Sequence, residues 1–160
     1  MDSALTLDGF DRRILALLQV DCSLSVAEIA DKVGLSASPC WRRIKRLEDE
    51  GVILRRAAVL DPERLGLGLM VFAHVKLSAH GRQNLSQFEA AVSDLPPVIE
   101  CFTVSGEFDY LIKIVLADMR GYETFLRQGL LQMPAVQEVH TSFVITRVKA
   151  TTALPLPEVP

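Results

Sequence analysis

The fifteen residues from Val33 to Leu47 constrain this chain more than any other stretch. Gly34 supplies the backbone freedom that a tight turn between two helices needs. Ser36 suits an N-cap, and Pro39 falls in the first helical turn, where a missing N–H costs nothing. Ile44 and Leu47 then recur at helical spacing and face a core. Arg42, Arg43, Lys45 and Arg46 occupy the remaining surface. A short helix, exposed at its start and basic along its side, is what a major groove admits. The spacing predicts a helix that reads double-stranded DNA.

The overall charge of −3 runs against that reading until it is resolved along the chain. Residues 42–46 hold four cations and no anion, and Glu48, Asp49 and Glu50 follow at once. A local basic footprint is what one DNA-contacting helix in an otherwise acidic chain gives. Charge alone favours a merely solvated helix face; the preceding turn and cap reverse that preference. Apolar residues make up 49%, enough for a core, and no apolar run is long enough to span a bilayer. Met1 to Leu5 shows neither the basic start nor the apolar continuation of a secretory signal. The three cysteines, Cys22, Cys40 and Cys101, are scattered without a C-x-x-C pair. Together these features predict a cytoplasmic protein in a reducing compartment, with no disulfide framework, structural zinc or membrane partner.

Two domains are expected. Asp8 caps a first helix reaching about Val20, with Ile14, Leu17 and Leu18 inward. Ser25 and Glu28 form a capping box that opens a second helix carrying Ile29 and Val33. The third helix stops at Gly51, suited to a C′ position. Three short helices with a tight second turn make a helix-turn-helix domain over residues 1–60, its motif about 26–45. Val52 to Leu60 reads as extended, with Arg55 and Arg56 placed as a wing would be. Residues 61–67 form a linker.

From residue 68 to 150 the rhythm changes. Strands are expected over Leu69–Leu77, Val98–Val104, Tyr110–Leu116 and Val136–Val148, and helices over Gly81–Leu95 and Met119–Met133. The order β-α-β-β-α-β is a ferredoxin-like split unit. The fold class is therefore α+β, a winged helix-turn-helix followed by a ferredoxin-like domain. Helices on one side of a sheet leave its other face bare, and a second copy of the chain covers such a face most simply. A homodimer is expected, and it suits DNA with two half-sites. Residues 151–160, with three prolines, are expected to fray as a flexible tail.

At this point the motifs resemble one family across nearly the whole chain. Leu7-Asp8, Asp11-Arg12, Ile14-Leu15 and Leu18-Gln19 carry the resemblance at the start, followed by Val33 through Cys40, Arg43, Leu47-Glu48 and Gly51 through Ile53. Glu100-Cys101, Val104 through Leu111, Lys113, Asp118-Met119 and Val148-Lys149 carry it in the second half. The pattern resembles the Lrp/AsnC regulators, and the loop Ser105–Tyr110 with Asp118-Met119 favours their leucine-responsive branch. The resemblance implies a nucleoid-associated, sequence-specific transcriptional regulator. Its dimers assemble further, to tetramers or octamers, and respond to a free amino acid.

Carried over residue by residue, the resemblance puts the effector site at Val104, Ser105, Gly106, Asp109 and Tyr110, with Thr103, Met119 and Phe143 as walls. Asp109 would meet the ligand's ammonium, and backbone N–H groups at the Gly106 turn its carboxylate. A plainer alternative stands beside this: Gly106 makes a hairpin turn and Asp109 caps it. Met119 and Phe143 suggest leucine or another apolar amino acid, whereas Thr103 departs toward polarity. No other cofactor is expected. On the DNA side the expected contacts are Ser36, Ser38, Pro39, Trp41, Arg42, Arg43, Lys45 and Arg46. Trp41 has two readings, over the sugar-phosphate backbone or packed on the first helix, and the first is preferred.

Competing readings carry less. His74, His80 and His140 lie far apart in sequence and read as structural or surface residues. Cys40 reads as a small semi-buried side chain. Glu107, Asp109 and Glu123 lack a nucleophile, a metal cluster or a phosphate-cradling loop, so no enzyme is expected. Siroheme decarboxylases resemble the family in fold, but they would show a degenerate recognition helix. The main alternative is an architectural protein that wraps DNA without sensing a ligand.

Overall fold

The computed structural model describes residues 6–78 and 82–156. His80 and Gly81, the latter the expected start of a helix, lie outside the described residues. The chain divides into two compact units, Met1–Val59 with Lys149–Pro160, and Leu60–Val148.

The first unit holds α1 (Gly9–Leu18), α2 (Val26–Val33) and α3 (Ala37–Asp49). Two of the three predicted N-caps, Asp8 and Ser25, close with side-chain hydrogen bonds. Asp8 accepts from the N–H groups of Phe10 and Asp11, and the Asp11 carboxylate returns a bond to the Asp8 N–H. Ser25 and Glu28 close the same box at α2. Gly34 takes φ +73°, a left-handed conformation that lets α3 leave at a sharp angle. Ile14, Leu18, Ile29, Ala30, Val33, Cys40, Ile44 and Leu47 form the core; Leu17 is only half-buried. Beyond α3, Val52–Leu60 joins no strand, and Arg56 pairs with Glu48 at 3.0 Å.

The tail departs from expectation. Gln19 donates from Nε2 to the Leu154 carbonyl at 3.1 Å and accepts from the Leu154 N–H at 2.9 Å. A side-chain amide carries both donor and acceptor groups, so it pairs with an extended backbone as a strand would. The expected frayed segment is thereby anchored to α1 at Leu154.

The second unit is one sheet in the order β2-β3-β1-β4, formed by β1 (Leu69–Leu77), β2 (Val98–Thr103), β3 (Tyr110–Leu116) and β4 (Val136–Phe143). All pairs are antiparallel. Two helices, α4 (Arg82–Ser93) and α5 (Met119–Gln128), complete the expected β-α-β-β-α-β order. Val71, Ala73, Val75 and Leu77 of β1 alternate inward with Tyr110, Ile112 and Ile114 of β3. Phe88, Val92, Tyr122 and Phe125 cover them from the helices. Two elements are shorter than predicted by five residues. After Phe143, which pairs with Val71, β1 has almost no chain left to pair with, so β4 ends and Ile145 is exposed. Gly129 breaks α5, and a Cβ there would sit 2.5 Å from the Phe125 carbonyl oxygen. A short 3-10 turn, Leu130–Gln132, follows.

Candidate nucleic-acid interface and effector site

Helix α3 presents three sectors. Cys40, Ile44 and Leu47 are buried, and burial pushes the Cys40 thiol pKa up. The second sector faces α1. Arg43 donates from Nη1 to Asp8 at 2.7 Å and to Asp11 at 2.8 Å, and Arg46 donates from Nη2 to Asp11 at 2.6 Å. Asp11 is fully buried, so one desolvated carboxylate is shared by two guanidinium groups. The Asp11 N–H, then Arg43, hold the Asp8 carboxyl below its ordinary range. The carboxylates of Asp11 and Asp8 raise Arg43 in turn. Phe10 lies beneath Arg13 at 4.6 Å and Arg43 at 5.4 Å.

The third sector is exposed. Ser38, Trp41, Arg42 and Lys45 follow at i, i+3, i+4 and i+7, one stripe along the helix. Trp41 is 54% exposed, so of its two readings the packed one is not adopted. Lys45 forms a surface pair with Asp49 at 2.8 Å. Ser36 has the extended N-cap backbone, but its side chain makes no cap hydrogen bond. Pro39 is half-buried in the first turn. Of the eight residues expected at DNA, Arg43 and Arg46 are the two that pair with α1. Their ion pairs to α1 hold the helix in place, and the outward cations of α3 are Arg42 and Lys45.

The β2–β3 turn is built by the main chain. Val104 N–H donates to the Asp109 carbonyl, and Asp109 N–H donates to the Val75 carbonyl, both at 2.9 Å. The Asp109 carboxylate accepts from the Leu77 N–H at 2.8 Å. Asp109 thus ties the start of β3 to the end of β1, a link that neither of its two sequence readings contains. Gly106 has φ +128°, and Thr103, Ser105 and Gly106 are exposed. Tyr110 is a core residue rather than an open wall. Its hydroxyl donates to Glu89 at 2.8 Å, and burial with that bond pushes its pKa up to about 12.

Met119 and Phe143 lie elsewhere. Tyr110 pairs with Val75 at one end of β3, while Leu116, three residues before Met119, pairs with Leu69 at the other. Phe143 pairs with Val71 on the opposite edge strand from Thr103 and packs edge-on against Tyr122 at 5.3 Å. Seven strand residues span about 20 Å, so one chain does not bring the eight expected effector residues together.

Two family models match this chain: a winged helix-turn-helix DNA-binding domain over residues 7–53 and an Lrp/AsnC ligand binding domain over residues 70–154. The chain belongs to the Lrp/AsnC family. It is similar to the DNA-binding transcriptional activator DecR of Escherichia coli, 41% identical over 150 residues, 94% of this chain and 99% of the relative. The leucine-responsive regulatory protein of Salmonella typhimurium is 40% identical over 148 residues, 92% of this chain and 90% of the relative. A Neisseria meningitidis transcriptional regulator, solved as a complex with L-Met, superimposes with a TM-score of 0.90 at 40% identity. The match covers 94% of this chain and 97% of that one.

Sequence spacing missed one cluster in this family member. His74 and His140 are cross-strand partners, and the ring of Phe108 lies 5.5 and 4.8 Å from theirs. His140 also contacts Glu138 at 2.7 Å. Sixty-six residues of sequence hide a juxtaposition that only the β1–β4 register creates. Glu123 pairs with Arg127 at 3.1 Å. Among the described residues no group of three or more His, Cys, Asp or Glu side chains is placed to hold a metal, and no helix is long and apolar enough to cross a membrane.

Proposed function

We propose that this chain is a cytoplasmic, nucleoid-associated regulator whose assembly and sequence-specific DNA binding respond to a free apolar amino acid, and that it acts without catalysis. The observation that carries the reading is the conjunction of the two family domains on one chain with a similar protein held in complex with L-Met. The outward stripe Ser38, Trp41, Arg42 and Lys45, with Ser36 and Pro39 at the helix start, meets DNA. Arg43 and Arg46 act indirectly, by holding α3 against α1.

The effector site is assembled from two copies of the chain. One supplies the turn from Thr103 to Asp109, with N–H groups at Ser105 and Gly106 for the ligand carboxylate. The other supplies Met119 and Phe143 as apolar wall. The two-end placement of these residues supports this arrangement. The open sheet face, where Met70, Phe72, His74 and Leu111 are half-buried, covers itself with a second copy, and dimers join into tetramers or octamers.

A melting screen of the full chain against the twenty amino acids tests the reading. Methionine or leucine at a hundred times its dissociation constant stabilises by about 2.7 kcal/mol. Met119→Arg abolishes that shift while leaving the ligand-free melt unchanged, because Met119 is exposed. Silence from all twenty would instead favour an architectural protein that wraps DNA and senses nothing. On the DNA side, Arg42→Ala lowers the slope of log K against log salt by about 0.9, the amount one phosphate contact contributes.

A further inference from the structure

Trp41 is the largest side chain on the exposed sector of α3, and it lies among polar neighbours. Ser38 precedes it by one turn, Arg42 adjoins it and Lys45 follows by one turn. An indole 54% exposed on a helix face keeps a large apolar surface in water unless something covers it. Trp41 is the fifth residue of α3, in the N-terminal half from which recognition helices address base edges. Its orientation is fixed from two sides. Cys40, Ile44 and Leu47 bury one sector, and the Arg43 and Arg46 pairs to Asp11 lock the next. With both arginines held against α1, Arg42 is the one guanidinium on the outward stripe. The usual arginine-to-guanine reading is correspondingly reduced.

Beside Ser38, Arg42 and Lys45, the stripe offers one apolar surface, the indole of Trp41. In the major groove the one apolar group that a base pair displays is the C5-methyl of thymine. We propose that Trp41 is a specificity-determining residue, selecting thymine through contact of its indole with that methyl group; this rests on the groove placement of α3 proposed above. Arg42 and Lys45 hold the flanking phosphates, and their contacts are indifferent to sequence.

The experiment uses the full chain and a duplex enriched by it from a randomised pool. Each thymine of that duplex is replaced in turn by deoxyuridine, which removes the methyl and nothing else. Binding is measured over a series of salt concentrations for the natural chain, Trp41→Ala and Arg42→Ala, and duplexes are compared at equal salt. The natural chain is expected to bind about fourfold more weakly at the contacted thymine, the factor that about 0.8 kcal/mol for one buried carbon implies. Trp41→Ala binds thymine and deoxyuridine duplexes equally at that position, with an unchanged melting temperature because the side chain covers no core. Arg42→Ala keeps the discrimination while losing affinity and salt dependence. Indifference of the natural chain to every replacement, or full discrimination retained by Trp41→Ala, overturns the thymine contact alone and leaves the groove placement standing. A pool that yields no enriched duplex, or an unchanged salt slope in Arg42→Ala, overturns the groove placement and the thymine contact with it.

Discussion

Each unit buries a polar side chain that its packing depends on, and they do so in opposite ways. The helical unit buries a charge: Asp11, gripped by two arginines from a helix more than thirty residues away. The sheet unit buries a neutral phenol: Tyr110, its hydroxyl donating to Glu89 at the core's edge. Eight residues form the helical core and twelve the sheet core, and this difference explains the choice. Strand ladders set the geometry of the sheet unit residue by residue. Three short helices around a small core have no such ladder, and hydrophobic contacts alone leave the rotation of α3 loosely specified. An ion-paired carboxylate specifies it, at the cost of desolvating a charge. Precision in the helical unit thus comes from electrostatics, and in the sheet from register.

The largest break in that comparison is a cavity in the sheet unit. Phe88 is 2% exposed, and its ring packs on Tyr110 at 4.6 Å. Phe88→Ala is expected to cost about 3–5 kcal/mol, seen as lost hydrogen-exchange protection in the amides of β1 and β3. Next comes Asp11→Asn. Removing the shared charge leaves Arg46 without its carboxylate and Arg43 with Asp8 alone, and breaking a buried pair costs about 3–5 kcal/mol. Both arginines reach solvent, which moves the expected loss to about 3 kcal/mol. Protection should fall in α1 and α3, with DNA binding weakened although Asp11 is buried. An Asp11→Asn chain that keeps full protection would mean that packing alone fixes α3.

These two residues also mark how far sequence reasoning reached. Local devices were legible because their partners lie within four residues: the Asp8 cap, the Ser25–Glu28 box, the turn at Gly34. Strand and helix order was legible from alternation and from Pro96 and Pro134. Periodicity identifies which side of α3 is polar, but not which part of that side meets another helix. Arg43 and Arg46 therefore read like Arg42 and Lys45 until α1 is in place. The same blindness affects Asp109, whose tie to Leu77 crosses 32 residues, and Tyr110, whose burial depends on α4. It also covers Met119 and Phe143, which match the family pattern singly yet stand at the far end of the sheet from the turn.

Titration sharpens the contrast, because the two units fail at opposite extremes. Hydrogen bonds lower the pKa of Asp8, Asp21 and Glu28 in the helical unit, from Asp11, Ser23 and Ser25 respectively. Their stabilisation is complete above the ordinary carboxylate range and is lost as pH falls through the lowered values. Tyr110 behaves conversely. Its pKa rises from 10.0 to about 12, so its contribution is complete below pH 10 and is lost as pH climbs toward 12. The alkaline loss is of order 2 kcal/mol, and Tyr110→Phe removes that step. Far-ultraviolet dichroism across pH, paired with exchange protection, should show α1 and α2 loosening first in acid and the sheet first in alkali. Simultaneous loss at both extremes would mean that the paired groups do not control the units.

The smallest expected effect isolates backbone from contacts. Gly34 has φ +73° and ψ 40°, and a Cβ built there meets nothing within 4 Å. The cost of Gly34→Ala is therefore purely conformational, about 1 kcal/mol. Asn tolerates the left-handed well better than Ala, so Gly34→Asn should recover most of that loss in a chemical-denaturation midpoint. Gly106 in the sheet unit also meets nothing within 4 Å, but its φ of +128° lies well beyond that well. Asn is expected to give no such rescue there. Equal rescue at both glycines would show that the β2–β3 turn relaxes into an ordinary left-handed turn. The backbone of the exposed residues Ser105 and Gly106 would then owe its course to the tie through Asp109 rather than to glycine.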